Sequence, residues 1–154
     1  MNHIPRIAAG LAAATAIAAA GCGSSGSSGL SKSELATKAD AQCTAYTKAA
    51  TAVPQPKDFA TNPVAAAAYL DKLKPLVAAQ ERAMLALKPD SSAKPLWDRF
   101  VAAGEHTTNL FNDAVAKAHA KDRTGLVDIQ QLAEYKTTVV NPLATQLGAS
   151  VCAK

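Results

Sequence analysis

The chain has 154 residues, with 16 basic against 12 acidic side chains and only 5% aromatic residues. Its charge is spread without runs, so it lacks the clustered basic face of a nucleic-acid binder, and no nucleic-acid partner is expected. The length suits one domain with a genuine core and is short for two.

In chain order, Arg6 and the terminal amine precede fifteen apolar or small residues, Ile7 to Gly21. That is the charged and apolar pattern of a secretory signal. As a helix the stretch would rise about 22 Å at ~1.5 Å per residue, short of the roughly 30 Å hydrocarbon core of a bilayer. Residues 1–21 are therefore expected to be a cleaved signal peptide rather than a permanent span. Ala18 to Ala20 would serve an ordinary cleavage site, which would leave Cys22 incidental.

The run Ala19-Ala20-Gly21-Cys22 resembles the lipobox of bacterial lipoproteins, with Ala19 where that family more often has a larger aliphatic residue. The resemblance implies that the Cys22 thiol carries a diacylglyceryl group, that cleavage falls just before it, and that palmitate-type chains anchor the protein to the cell membrane on its extracytoplasmic face. Two chains matter, because a single one holds only marginally. Gly23 to Gly29 reads Gly-Ser-Ser-Gly-Ser-Ser-Gly, a composition that cannot form a core. Residues 22–30 are thus expected to be lipidated cysteine and flexible tether, about 15 Å root-mean-square in span.

Residues 31–154 carry the helical signals. Ser31 followed by Glu34 fits a capping box, with Leu30 as a possible staple residue. Ala36, Ala39, Cys43, Tyr46, Ala50 and Val53 then form one stripe, which Pro54 and Pro56 end. Asn62-Pro63 opens a second helix whose stripe is Leu70, Leu73, Val77, Gln80, Met84 and Leu87. Pro75 falls inside it, either kinking the helix or breaking it in two. Pro95 opens the third and strongest helix, with Leu96, Trp97, Phe100, Val101, Ala103, Phe111, Ala114, Val115 and Ala118 on its apolar side. Thr124 is a candidate cap for the fourth, which offers Leu126, Ile129, Leu132, Ala133, Val139, Val140, Leu143 and Leu147. Lys136 conflicts with that stripe on a straight helix, and a kink at Pro142 is the expected remedy.

Four stripes with short connections and no strand alternation predict an all-α fold, an antiparallel up-down four-helix bundle. Cys43 and Cys152 remain for a disulfide in an oxidising compartment; the alternative is two separate cysteines, with Cys43 a small core residue. Because Cys43 lies mid-helix and Cys152 near the end of the chain, a bridge requires an axial offset or a folded-back tail. The mature part is similar to small alanine-rich helical lipoproteins of high-GC Gram-positive bacteria, a resemblance of length, lipobox and two flanking cysteines that brings no known activity.

Chemistry-bearing patterns are sparse. His3 leaves with the leader; His106 falls on the solvent side of the third helix and His119 at the edge of its stripe, about 140° apart at ~100° per residue, so they do not share a metal. No H-E-x-x-H, G-x-S-x-G, Walker, dinucleotide or haem-attachment motif is present. Met84 reads as core filler. Asp71, Asp98, Asp113, Asp128 and Glu134 read as a solvated surface. Small side chains at Gly104 and Thr107, beside Trp97 and Phe100, leave a notch that either receives Tyr46 or Leu73 from a facing helix or forms a pocket for a small apolar ligand.

The expectation from sequence is a monomeric, non-enzymatic lipoprotein without cofactor that acts as a binding or scaffold module for an envelope partner. The alternative is a tethered carrier of a small apolar ligand or metal in the bundle core, with Trp97, Phe100, Gly104 and Thr107 at the ligand.

Overall fold

Ser31 starts the first helix as its pattern predicts. The computed structural model describes residues 29–154; the expected signal peptide, Cys22 and all but the last two residues of the expected tether lie outside the described residues. Ser31 is the N-cap of α1 (Lys32–Thr51). Its hydroxyl accepts the Glu34 N–H at 3.4 Å while the Glu34 carboxylate accepts the Ser31 N–H at 2.9 Å, satisfying two donors the helix cannot. Leu30, expected at the end of the tether, is already part of the fold. Its N–H donates to the Lys88 carbonyl and its own carbonyl accepts from Asp90 N–H, both at 2.8 Å. A Cβ on Gly29 would fall 2.4 Å from the Pro89 carbonyl oxygen, so this close approach requires glycine.

Asn62 caps α2 (Pro63–Leu85) by accepting the N–H groups of Val64 and Ala65 at 3.1 and 3.2 Å. The helix continues through Pro75 rather than dividing there. Pro75 and Asp71 are both exposed, so the Asp71 carbonyl that loses its donor lies where water can replace it. Before α3 (Lys94–His119), the Asp90 carboxylate accepts from Ser92 and Ala93 N–H at 3.0 and 2.8 Å. Pro95 then sits in the first turn, where its missing N–H costs nothing.

The last helix departs from expectation in two ways. Thr124 makes no side-chain cap; instead Asp122 accepts the Thr124 N–H at 2.9 Å. The phase conflict at Lys136 is resolved by a π turn, not by a proline kink alone. Helix α4 (Gly125–Tyr135) passes into a π segment (Lys136–Val140) and then α5 (Asn141–Leu147). The Asn141 N–H donates to the Lys136 carbonyl, five residues back, and Pro142 follows with no N–H to continue the ladder. One extra residue rotates the stripe by ~100°, so the Ile129–Leu132 and Leu143–Leu147 sides both face the core while Lys136 stays exposed. Gly148, at φ 92°, ends α5 in the left-handed conformation.

The core has two ends. At one, Leu35, Ala39, Trp97, Phe100, Leu143 and Leu147 pack together, with Met84, Leu87 and Leu30 against them. At the other are Leu70, Leu73, Phe111, Ala114 and Val115, with Val53, Ile129 and Leu132. Among the described residues the fold is all-helical, and its one isolated β-bridge joins Leu30 to Pro89. The folded-back tail is also realised. Cys43 and Cys152 are bridged, with Cα atoms 5.4 Å apart. Asp40, nearly one turn before Cys43, accepts from Val151 and Cys152 N–H at 2.8 and 3.1 Å and holds the tail against α1.

Candidate ligand-binding cavity

Between the two core ends lies a cavity of about 440 Å³, within the range of small-molecule sites. Helices α1 to α4 and the π segment contribute to its wall: Tyr46 from α1, Leu73, Val77 and Met84 from α2, Phe100, Gly104 and Phe111 from α3, Ile129 and Leu132 from α4, and Val140 from the π segment. The disulfide and Val151 close part of the same wall. The stripe positions account for the apolar lining. Gly104 is one point where the wall is unfilled: a Cβ built there meets nothing within 4 Å.

Phe100, Gly104 and Thr107 all line the cavity, and Trp97 does not. Trp97 is 3% exposed in the core end beyond it, its ring 5.6 Å from that of Phe100 at 45°. Trp97 and Phe100 share a stripe, but Trp97 lies nearly one helical turn further along the axis. Tyr46 and Leu73, the side chains that could have filled the notch, are instead part of the cavity's lining. Met84, read from sequence as core filler, lines it too.

Seven uncharged polar side chains are interspersed in the wall, and two of them are engaged in hydrogen bonds. The Thr107 hydroxyl donates to the Gly104 carbonyl at 2.7 Å, and Gln80 donates a long contact of 3.6 Å to Cys43 Sγ. Burial, with a smaller contribution from Tyr69, pushes the Tyr46 phenol above the usual tyrosine range, so it is a neutral hydroxyl at physiological pH. Glu81, Glu105, Lys136 and Lys154 bring two charges of each sign to the boundary.

The histidines are on the surface. His106 stacks on Tyr135, ring centroids 4.4 Å apart, and His119 Nε2 lies 3.0 Å from an Asp71 carboxylate oxygen. Among the described residues no three His, Cys, Asp or Glu side chains group as metal ligands would. One carboxylate expected at the surface is not there. Asp128 is 7% exposed and pairs with Lys117 Nζ at 2.8 Å. Its hydrogen bond, offset in part by desolvation, holds the Lys117 ammonium above the usual lysine value.

The chain matches no protein-family model, no curated protein and no solved structure. Among the described residues no helix is long and apolar enough to cross a membrane. Gly104 within a large-residue stripe was the sequence signal for the cavity. Tyr46, Leu73, Val77 and Leu132 carried no separate signal, because core residues and cavity-lining residues have the same periodicity.

Proposed function

We propose that this protein is a lipid-anchored extracytoplasmic carrier that holds a small apolar ligand in the core of an up-down four-helix bundle. The observation that carries the reading is the 440 Å³ cavity walled by α1 to α4 and the π segment, with open space beside Gly104. Its lining is largely apolar, with uncharged polar groups within it and four charged side chains at its boundary, a makeup found in small-molecule sites. The cavity reverses the order reached from sequence, where an envelope scaffold came first and a carrier second. The up-down arrangement is supported by how the core ends are composed: the start of α1 and the start of α3 share one end with the close of α2, while the start of α2 and the close of α3 share the other.

Anchoring through a diacylglyceryl group on Cys22, after removal of residues 1–21, rests on the resemblance of Ala19-Ala20-Gly21-Cys22 to a lipobox. If the Gly/Ser run that follows acts as the tether its composition suggests, its root-mean-square span of about 15 Å would hold the domain near the headgroups. The protein binds rather than catalyses, acts as a monomer and needs no cofactor.

Two measurements on protein purified from bacterial membranes test this. Its intact mass should correspond to a chain beginning at Cys22 and bearing acyl groups; a chain beginning elsewhere, or unacylated, removes the tether. Organic extraction followed by mass spectrometry should recover an apolar small molecule in stoichiometric amount. If none is retained and none rebinds, the carrier reading is wrong.

A further inference from the structure

We propose that the ligand is a single straight hydrocarbon chain, the acyl chain of a free fatty acid or of a single-chain phospholipid, laid along the bundle axis. This rests on the carrier reading and adds the shape of the ligand to it. On α3 the wall runs from Phe100 to Phe111, and on the last helix from Ile129 to Val140. Each is about 16 Å at ~1.5 Å per residue. On α2 the wall runs from Tyr69 to Leu85, about 24 Å by the same measure.

Spread over those lengths, the 440 Å³ open to the centre of a water-sized sphere has a mean cross-section of about 18 to 27 Å², and ligand atoms reach roughly 1.4 Å further on every side. The cavity is thus about two to three times longer than it is wide. Half of the roughly 30 Å hydrocarbon core of a bilayer is about 15 Å, the depth one acyl chain occupies in a leaflet. The slot therefore matches one such chain in length, and its elongation favours a straight chain over a compact molecule of equal volume.

The polar side chains agree with that shape. Thr107 and Gln80 spend hydrogen bonds on Gly104 and Cys43, and the remaining uncharged polar side chains, such as Tyr46 and Thr108, are interspersed in a predominantly apolar wall, which suits an alkyl chain with one small polar end. At the boundary Glu81 and Glu105 face a ligand together with Lys136 and Lys154. This mixed rim lets a carboxylate or a zwitterionic headgroup rest outside while the chain is inside.

Titration calorimetry on the full processed chain, stripped of lipid, tests the assignment with three probe sets: straight fatty acids of graded length, lysophosphatidylcholines bearing the same chains, and cholesterol as a rigid fused-ring probe. Affinity should rise about fourfold per added methylene, then level off once the chain outgrows the slot. The tighter of the two headgroup series identifies the source of the chain. Gly104→Leu should weaken the best chain by about a hundredfold.

Cholesterol binding as tightly as the best straight chain, affinity indifferent to chain length, or an unchanged Gly104→Leu protein would each overturn the straight-chain assignment while leaving a carrier of some other ligand. Binding by none of the three sets would overturn the carrier reading itself.

Discussion

Replacing Gly104 should make the protein more stable and less able to bind. The residue sits well inside α3 with no positive φ, so the helix gains nothing from its being glycine. Gly104→Ala removes backbone entropy from the unfolded chain and should stabilise the fold by about 0.8 to 1 kcal/mol. For a domain of this size that is roughly 3 to 5 °C in Tm. Because nothing lies within 4 Å of the built Cβ, no steric term opposes the gain.

Gly104→Leu goes further. Its additional carbons enter the cavity and bury apolar area, so stability should rise at least as much as with alanine. They also take the place of about four ligand carbons, a loss near 3 kcal/mol at ~0.8 kcal/mol per methylene, or about a hundredfold in Kd. Urea unfolding gives the stability change and calorimetry with a saturated fatty acid the affinity change. If both substitutions destabilise, the wall at Gly104 is closed; if Gly104→Leu is stabilised yet binds unchanged, the cavity is not the binding site. Opposite signs in the two assays are the expected result.

Other consequences follow from the contacts that tie the helices together. Cys152→Ser, or reduction of the wild type, should lower stability by about 5 kcal/mol on the chain-entropy account, since the bridge spans a separation of 109 residues. A shift below 1 kcal/mol in urea melts with and without reductant would contradict that. Asn62→Ala should cost about 1 kcal/mol by removing the α2 cap, and an unchanged urea midpoint would show that the two hydrogen bonds contribute nothing. Glu34, Asp90 and Asp122 all have carboxyls held below the usual range by hydrogen bonds, from Ser31, Ala93 and Thr124 respectively. A depressed folded-state pKa contributes stability that is present above the unfolded value and lost as pH falls through the folded one. Melting temperature should therefore fall as pH drops below the ordinary carboxylate range, and Glu34→Gln should flatten part of that slope; a pH-independent melt would refute the assignment.

How much of this was legible in the sequence depended on how local the deciding physics was. The starts of α1 and α2 are set by groups two or three residues apart, Ser31 with Glu34 and Asn62 with Val64 and Ala65. Such contacts are readable from spacing alone. Periodicity also placed Trp97 and Phe100 on one face, but it reports direction around a helix and not depth along the bundle, so it could not separate a residue at the cavity from one beyond its end.

Lys136 marked the right place for an irregularity. A π turn inserts one residue into the hydrogen-bond ladder without any composition of its own, so the pattern showed the conflict and not the device that resolves it. Asp128 looked like other surface carboxylates because its partner, Lys117, comes from the preceding helix. Leu30 looked like tether because what holds it, the chain at Lys88 and Asp90, is nearly sixty residues away.

If an apolar chain occupies the bundle core, isotope-filtered nuclear Overhauser spectroscopy with a ¹³C-labelled fatty acid should show cross-peaks from the chain's methylenes to Gly104 Hα, Leu73 and Leu132, which line the cavity from three helices. Cross-peaks confined to exposed apolar side chains away from the cavity, such as Val64 and Val127, would contradict it.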